Sequence, residues 1–360
     1  SSTIPCNWIY IMTLFALIFA CTSSSEDTSF TDPSKDVVED ELLDWHISVE
    51  NDERGAFLSA WSPKEDEIWV VGGLPSTGVV LKGNKDIGWT EVALPENTPL
   101  LNWIHGTSET DIWVGGLYGS ILHWNGSEWF DHSQEVEEAV WGIFVREIND
   151  ANGQQREVVA VGGESKWGGT IGQIWKYDGE NWSNIQLPAE VSTASNLFKV
   201  TFDGDKYWIV GVAGTILYGD IDNLSALPTG IATDLITVSP SPNVGEVLIV
   251  GGRGTGTYFW GREGMIEMEN AQQTIAGLNG VFVTVEKSLM VGEMGYGVMI
   301  DSQGPNDNDP IEPISVTRDI LHATSAMLGD EETTFYAVGG NLAAANDDYH
   351  GVIVTLSISQ

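Results

Sequence analysis

Cysteine is nearly missing from this chain. Cys6 and Cys21 are the only two in 360 residues, so everything downstream must be stabilised by burial and not by disulfides. Basic residues are scarce as well: 15 Lys and Arg stand against 52 Asp and Glu, for a formal net charge of −37. Without clustered cations to neutralise phosphates, nucleic acid is excluded as a partner class, while a charge of this size favours solubility. Long apolar runs are lacking too. Trp8–Ala20 (WIYIMTLFALIFA) falls short of the ~20 residues that a bilayer crossing takes. Catalytic signatures are also absent: no HExxH zinc motif, no G-x-S-x-G elbow and no paired-cysteine redox motif occurs. The six histidines, His46, His105, His123, His132, His322 and His350, are scattered. His105 and His322 fall on innermost strands, where a hydrogen-bonded structural role is expected.

The run at 8–20 has the length of the core of a secretory signal. It leads into Ile18-Phe19-Ala20-Cys21, which resembles a bacterial lipobox. Residues 1–21 are therefore expected to be a lipoprotein signal peptide and Cys21 the acylated residue. The positive leader of such a signal is missing and the chain does not begin with Met, features expected if the true start lies upstream. Residues 22–44 carry eight acids against Lys35 and few large apolar side chains, the composition of a solvated tether. The address implied is a bacterial cell envelope, with the membrane reached through the lipid alone.

From residue 45 onward the chain repeats. Short β-branched and aromatic runs bounded by Gly, Asn, Asp and Ser read as strands. The clearest copy is 104–133, IHGTSETDIWVGGLYGSILHWNGSEWFDHS. Its Asn125-Gly126 pair predicts a type I′ hairpin turn. A Val-Gly pair ends the second strand of each copy, at Val71, Val114, Val161, Val210, Val250, Val291 and Val338. A recurrence every ~40–50 residues, four strands at a time, is the mark of a β-propeller blade. The expected fold is all-β: a seven-bladed propeller of four-stranded antiparallel blades over 45–358. The first blades end on a Trp-bearing outer strand (Trp89, Trp129, Trp182), whereas the last copy stops after its third strand at 351–357. Trp45 and the residues after it supply the missing strand, closing the ring and hiding a sheet edge.

In such a ring, the loops from strand two to three and from strand four to the next blade share one face. Those loops are long in blade three (164–172) and blade seven (341–351), and tight in blades two, four, five and six. Function concentrates in such insertions. On a chain this acidic the cations of that face stand out. The candidate ligand-binding residues are Arg54, Lys166, Arg253 and Arg318 with Trp167, Tyr296, Tyr349 and His350. They suit a carboxylate on a peptide or an acidic glycan. The 146–157 stretch on the opposite face reads as solvated loop. Recurrent Trp69, Trp113 and Trp208 read as packing between blades and not as a sugar platform. The acidic segment 301–309, with Asp301, Asp307 and Asp309, offers oxygen ligands for calcium but lacks full loop spacing, so no cofactor is expected. Gly252–Gly256 joins two strands, and no helix follows to make a phosphate site.

The pattern D-I-W-V-G-G-x-x-G-x-I-L-H-W-N-G-x-x-W at 111–129 resembles bacterial propeller repeats of the sialidase-repeat-like and photosystem-assembly-factor-like superfamily. The likeness is strongest in blades one to three. It implies the propeller architecture, a kind of repeat frequent in exported lipoproteins, and no function. The function expected is that of a monomeric, non-enzymatic surface lipoprotein that binds a protein, peptide or glycan. The alternative is a glycan-active enzyme of sialidase or lyase type, which would need Arg54, Arg253 and Arg318 to converge on a substrate carboxylate.

Overall fold

Strands form where β-branched and aromatic residues run between Gly, Asn and Asp turns, and they associate in fours. The computed structural model describes residues 45–150, 153–268, 275–302, 308–311, 321–328, 332–341 and 349–359. The expected signal, Cys21, the tether and Arg318 lie outside the described residues. Seven four-stranded antiparallel sheets are present. Their inner strands are Ala56–Lys64, Leu101–Ser108, Ala139–Asp150, Leu197–Phe202, Leu235–Pro240, Leu278–Val283 and Leu321–Leu328. Each inner strand contacts the next, and Leu321–Leu328 contacts Ala56–Lys64, so the ring closes. The seventh sheet uses both ends of the propeller: His46–Asp52 pairs with Gly351–Ser359, His46 opposite Thr355 and Ile47 opposite Val354. The predicted closure is the one found.

Packing between sheets makes the core. Trp69, Val71 and Val80 of blade one bury against Leu101, Ile104, Ile112, Val114 and Leu122 of blade two, and equivalent clusters recur around the ring. Trp69, Trp113 and Trp208 hold one register position, opposite Lys82, His123 and Tyr218. A buried indole N–H needs an acceptor, and a nearby acid supplies it: Glu67 at 2.7 Å, Asp111 at 2.9 Å and Asp203 at 2.6 Å. The acid ahead of each Trp is therefore a packing residue.

Three details differ from the sequence expectation. Blade two is in phase through Gly116, which faces Leu101 as Gly72 faces Phe57; its Val114-Gly115 pair sits one residue early. The Asn125-Gly126 hairpin exists but is not type I′. Gly126 has φ 98° while Asn125 is not among the positive-φ residues, and the Asn125 Oδ1 accepts from the N–H groups of Ser127 and Glu128, each at 2.9 Å. That side chain caps the turn in place of a second left-handed residue. The true type I′ turns join strands two and three: Tyr118-Gly119, Ala213-Gly214 and Met294-Gly295 all have positive φ. Finally, 146–157 is no loop. Ala139–Asp150 and Gly153–Gly163 pair from Ala139 opposite Gly163 down to Asp150 opposite Gly153, extending the blade-three hairpin beyond its neighbours.

Candidate functional site

At one height in every inner strand the ladder slips by a residue. The extra residues are Leu58, Asn102, Trp141, Phe198, Ile236, Asn279 and His322. A bulge re-aims its side chain and is common beside functional sites. Repeated in every blade, it sets one residue apart at the same level of each inner strand, and this level is the mouth of the ring.

Part of this ring is sealed. Leu58 is buried with Ala56, Leu100, Leu117, Ala139 and Tyr349, and Trp141 and Trp167 pack against them. Trp167 comes from the long blade-three loop and Tyr349 from the long blade-seven loop. The Lys166 ammonium lies 4.4 Å from the Trp167 ring centroid and 5.3 Å from that of Tyr349, so the two insertions meet, as cations and aromatics favour.

The rest is open. Trp141, Phe198, Ile236 and Asn279 line a cavity of about 560 Å³ together with Lys166, Trp167, Asn196, Lys199, Asp234, Arg253 and Glu293. Lys199 is its deepest cation, only 1% exposed. Its Nζ donates to the Trp141 carbonyl at 2.6 Å and lies 4.3 Å from the Trp103 ring centroid. Among the described residues it has no carboxylate partner, and burial pushes its amine well below the ordinary lysine range. Gly142 permits this arrangement, because a Cβ there would stand 2.9 Å from the Lys199 Cα and 2.9 Å from the Phe198 carbonyl oxygen. Three buried amide atoms at this level have no partner: Asn102 Oδ1, Asn196 Oδ1 and Asn279 Nδ2. Asn102 Nδ2 donates to the Val140 carbonyl and Asn196 Nδ2 to that of Glu164, so both amides are fixed with the oxygen left over. Asn196 and Asn279 line the cavity and Asn102 does not, so one orphaned acceptor and one orphaned donor there fit a ligand that offers both partners.

Of the predicted site residues, Lys166, Trp167 and Arg253 line this cavity, and Tyr349 contacts Lys166. Arg253 is exposed and paired with Asp234 at 3.1 Å. The others lie elsewhere. Arg54 is committed to the Asp52 carboxylate, 2.9 Å from Nε, and to Glu91 at 3.5 Å. Tyr296 packs into the core of blades five and six, where burial raises its phenol. His350 borders a smaller pocket with Glu53, Pro75 and Ser76. With Arg54 engaged and Arg253 at the mouth, the arginine cluster that a sialidase requires is not assembled from these two. Lys199, Asn196, Asn279 and the bulged aromatics are the residues that sequence reasoning missed. One signal was legible: the lysine in LFKVTF interrupts an otherwise apolar inner strand.

His105 faces its neighbours as expected of a structural residue. Its ring lies 4.4 Å from Phe144 and 6.0 Å from Trp61, and its Nδ1 accepts from the Val145 N–H at 3.2 Å. Burial depresses its pKa to about 4. Asp301 is bound by Lys287 at 2.7 Å; Asp307 lies outside the described residues, as does the side chain of Asp309.

No family model and no curated protein matches this sequence. Solved structures do match its fold. Virginiamycin B lyase from Staphylococcus aureus superposes with a TM-score of 0.64 at 13% identity, covering 88% of this chain and 99% of that one. YCF48 bound to D1 peptide gives a TM-score of 0.59 at 11% identity over 87% and 96%. The WD40 propeller domain of Doa1 gives 0.59 at 9% over 87% and 97%. At such identities the likeness concerns architecture alone: the chain is a seven-bladed β-propeller.

Proposed function

We propose that this chain is a non-enzymatic binding propeller, held at a bacterial cell envelope through a lipid on Cys21, whose open mouth takes a peptide or protein ligand by a carboxylate. The observation that carries the reading is Lys199, a buried amine without a counter-ion beside unpartnered asparagine amides. A carboxylate would supply the missing charge, and the adjoining peptide group would donate its N–H to the free Asn196 oxygen and accept at its C=O from the free Asn279 nitrogen. Lys166 and Arg253 stand at the rim, where charge steers an approaching ligand more than it binds it. That YCF48 has been seen with a bound peptide supports a propeller of this kind in such a role.

The test is a set of short peptides presented with a free C-terminus and, in parallel, amidated. Wild type retains the free-acid forms, and Lys199→Met and Asn279→Leu each weaken retention by about tenfold or more. Equal retention of amidated peptides by wild type would sink the carboxylate reading. For the anchor, Cys21→Ser moves the protein from the membrane fraction to the soluble one; unchanged fractionation counts against lipidation.

A further inference from the structure

A second and larger cavity, about 720 Å³, lies between blades two and three, away from the mouth. It exists because of two features already described. The extended blade-three hairpin brings Gln155 and Arg156 to one wall, and the strand three–four turn of the same blade brings Tyr177, Asp178 and Glu180 to another. Blade two supplies Trp113, His123 and His132.

These side chains form a packed wall of flat rings, with the buried Trp113 at its base. His123 stacks on Trp113 at 4.3 Å and 15°, and His132 lies 4.8 Å from the same indole. Tyr177 closes the set, 5.2 Å from His132 and 5.7 Å from Trp113. One buried acid fixes the arrangement. Asp111 accepts from the Trp113 Nε1 at 2.9 Å, from the Arg156 Nε at 2.7 Å and from the Thr107 hydroxyl, and its Oδ1 lies 2.9 Å from the His123 Nε2. Burial alone would raise its pKa, but His123, Thr107, Arg156 and Trp113 together hold it at about 2. The rings and the guanidinium are therefore set before any ligand arrives, which is what affinity for a small molecule requires.

Charge decides which molecule fits. An anion would meet Asp178, Glu180 and the field of a chain carrying −37. A quaternary ammonium, the usual guest of aromatic boxes, would meet the Arg156 guanidinium, whose only ion-pair partner among the described residues is Asp111. A neutral ring with one C–H face and a rim of hydroxyls suits both. The face lies on the half-buried rings of His123, His132 and Tyr177. The hydroxyls accept from Arg156 and from His132, whose other ring nitrogen is taken by Trp182, and donate to Asp178 and Glu180. We infer that the cavity between blades two and three is a saccharide site for one or two neutral pyranose units, independent of the mouth.

Calorimetric and fluorescence titrations with cellobiose, lactose and di-N-acetylchitobiose test it, with glucuronic acid and tetramethylammonium as charged comparators. At least one neutral sugar binds wild type with a Kd of about 1 mM or tighter, and indole emission changes because Trp113 and Trp182 adjoin the site. Tyr177→Leu and Glu180→Gln each weaken it about tenfold, whereas Lys199→Met leaves it unchanged. Glu180 is exposed, so its variant separates loss of binding from loss of folding. No binding of any neutral sugar, binding confined to a charged comparator, or affinity untouched in both variants would overturn the assignment. Sensitivity to Lys199→Met would move the site to the mouth and overturn it equally.

Discussion

The seven bulges at the mouth are the same backbone device, yet the two parts of the ring use it in opposite ways. Where Leu58 fills the bulge, Tyr349 and Trp167 pack over an apolar cluster. Where Phe198, Ile236 and Asn279 fill it, they line a cavity in which two buried amide atoms are left without partners. The lesson is that blade repetition fixes where side chains are aimed, while single residues decide whether the aim is for packing or for a ligand. Two inner strands also hold a basic group with a depressed pKa, His105 in blade two and Lys199 in blade four.

The sealed part is the easier to break. Its components flank the closing pair: His46–Asp52 leads into Ala56, and Tyr349 leads into Gly351–Ser359. Deleting 45–52 strips the seventh blade of its outer strand, and thermal melting shows a large loss of cooperativity. Deleting 22–43 leaves the melting temperature unchanged, and equal melting of the two truncations would refute the closure. A milder break is Tyr349→Ala, which removes a buried ring and costs about 3 kcal/mol in urea unfolding. A value near zero there would mean that the loops do not seal the mouth.

The open part responds with the opposite sign. Lys199→Met removes a buried amine with no counter-charge and raises stability at neutral pH by ~2 kcal/mol. The linkage follows from the direction of the shift. The unfolded chain holds a proton on this lysine up to about pH 10.4 while the folded chain releases it earlier. Wild-type stability therefore climbs with pH in that range, and the variant flattens the climb. Calorimetry in buffers of different ionisation enthalpy adds a second reading: a carboxylate ligand draws a proton onto wild type and none onto Lys199→Met. His105 is the counterpart. Its pKa of about 4 lies below the ordinary value of 6.5, so its contribution is intact above pH 6.5 and is lost as pH falls toward 4. The residue is only half-buried, and solvent moderates the loss to about 2 kcal/mol. His105→Gln shows a shallower acid limb, and an unchanged limb would show that the imidazole is protonated in the fold. The smallest effect belongs to Arg253→Ala. This exposed, paired residue shifts stability by less than ~0.5 kcal/mol and slows ligand association severalfold at low salt.

The architecture was legible because blades repeat. Val-Gly pairs, outer-strand tryptophans and the odd strand at Trp45 specified blade number and closure. The mouth was legible only in part. Lys166, Trp167 and Arg253 stand out because a cation or an indole in a loop breaks an acidic or polar background. Asn196 and Asn279 have no such contrast: Asn279 owes its place to a bulge, and Asn196 stands just ahead of its strand, among polar residues. Arg54 fell away because Asp52 lies two residues before it and accepts both its backbone N–H and its guanidinium. The 146–157 stretch misled for a related reason. Its polar side chains suit a solvated loop and a projecting hairpin alike, and cross-strand pairing separates the two only in three dimensions.

The pairing of His46–Asp52 with Gly351–Ser359 also sets an order of events. Thr355 Oγ1 lies 3.5 Å from the His46 carbonyl oxygen across 309 residues of chain. The first strand to be made thus finds its neighbour only after the last has been completed, and six blades can assemble before the ring has a clasp. Until then the seventh sheet presents an unpaired edge, the kind of surface that recruits foreign strands. A closure spanning nearly the whole propeller is also slow in its own right. The delay keeps the ring open for the whole of synthesis: no closed propeller can form until the last strand has been made.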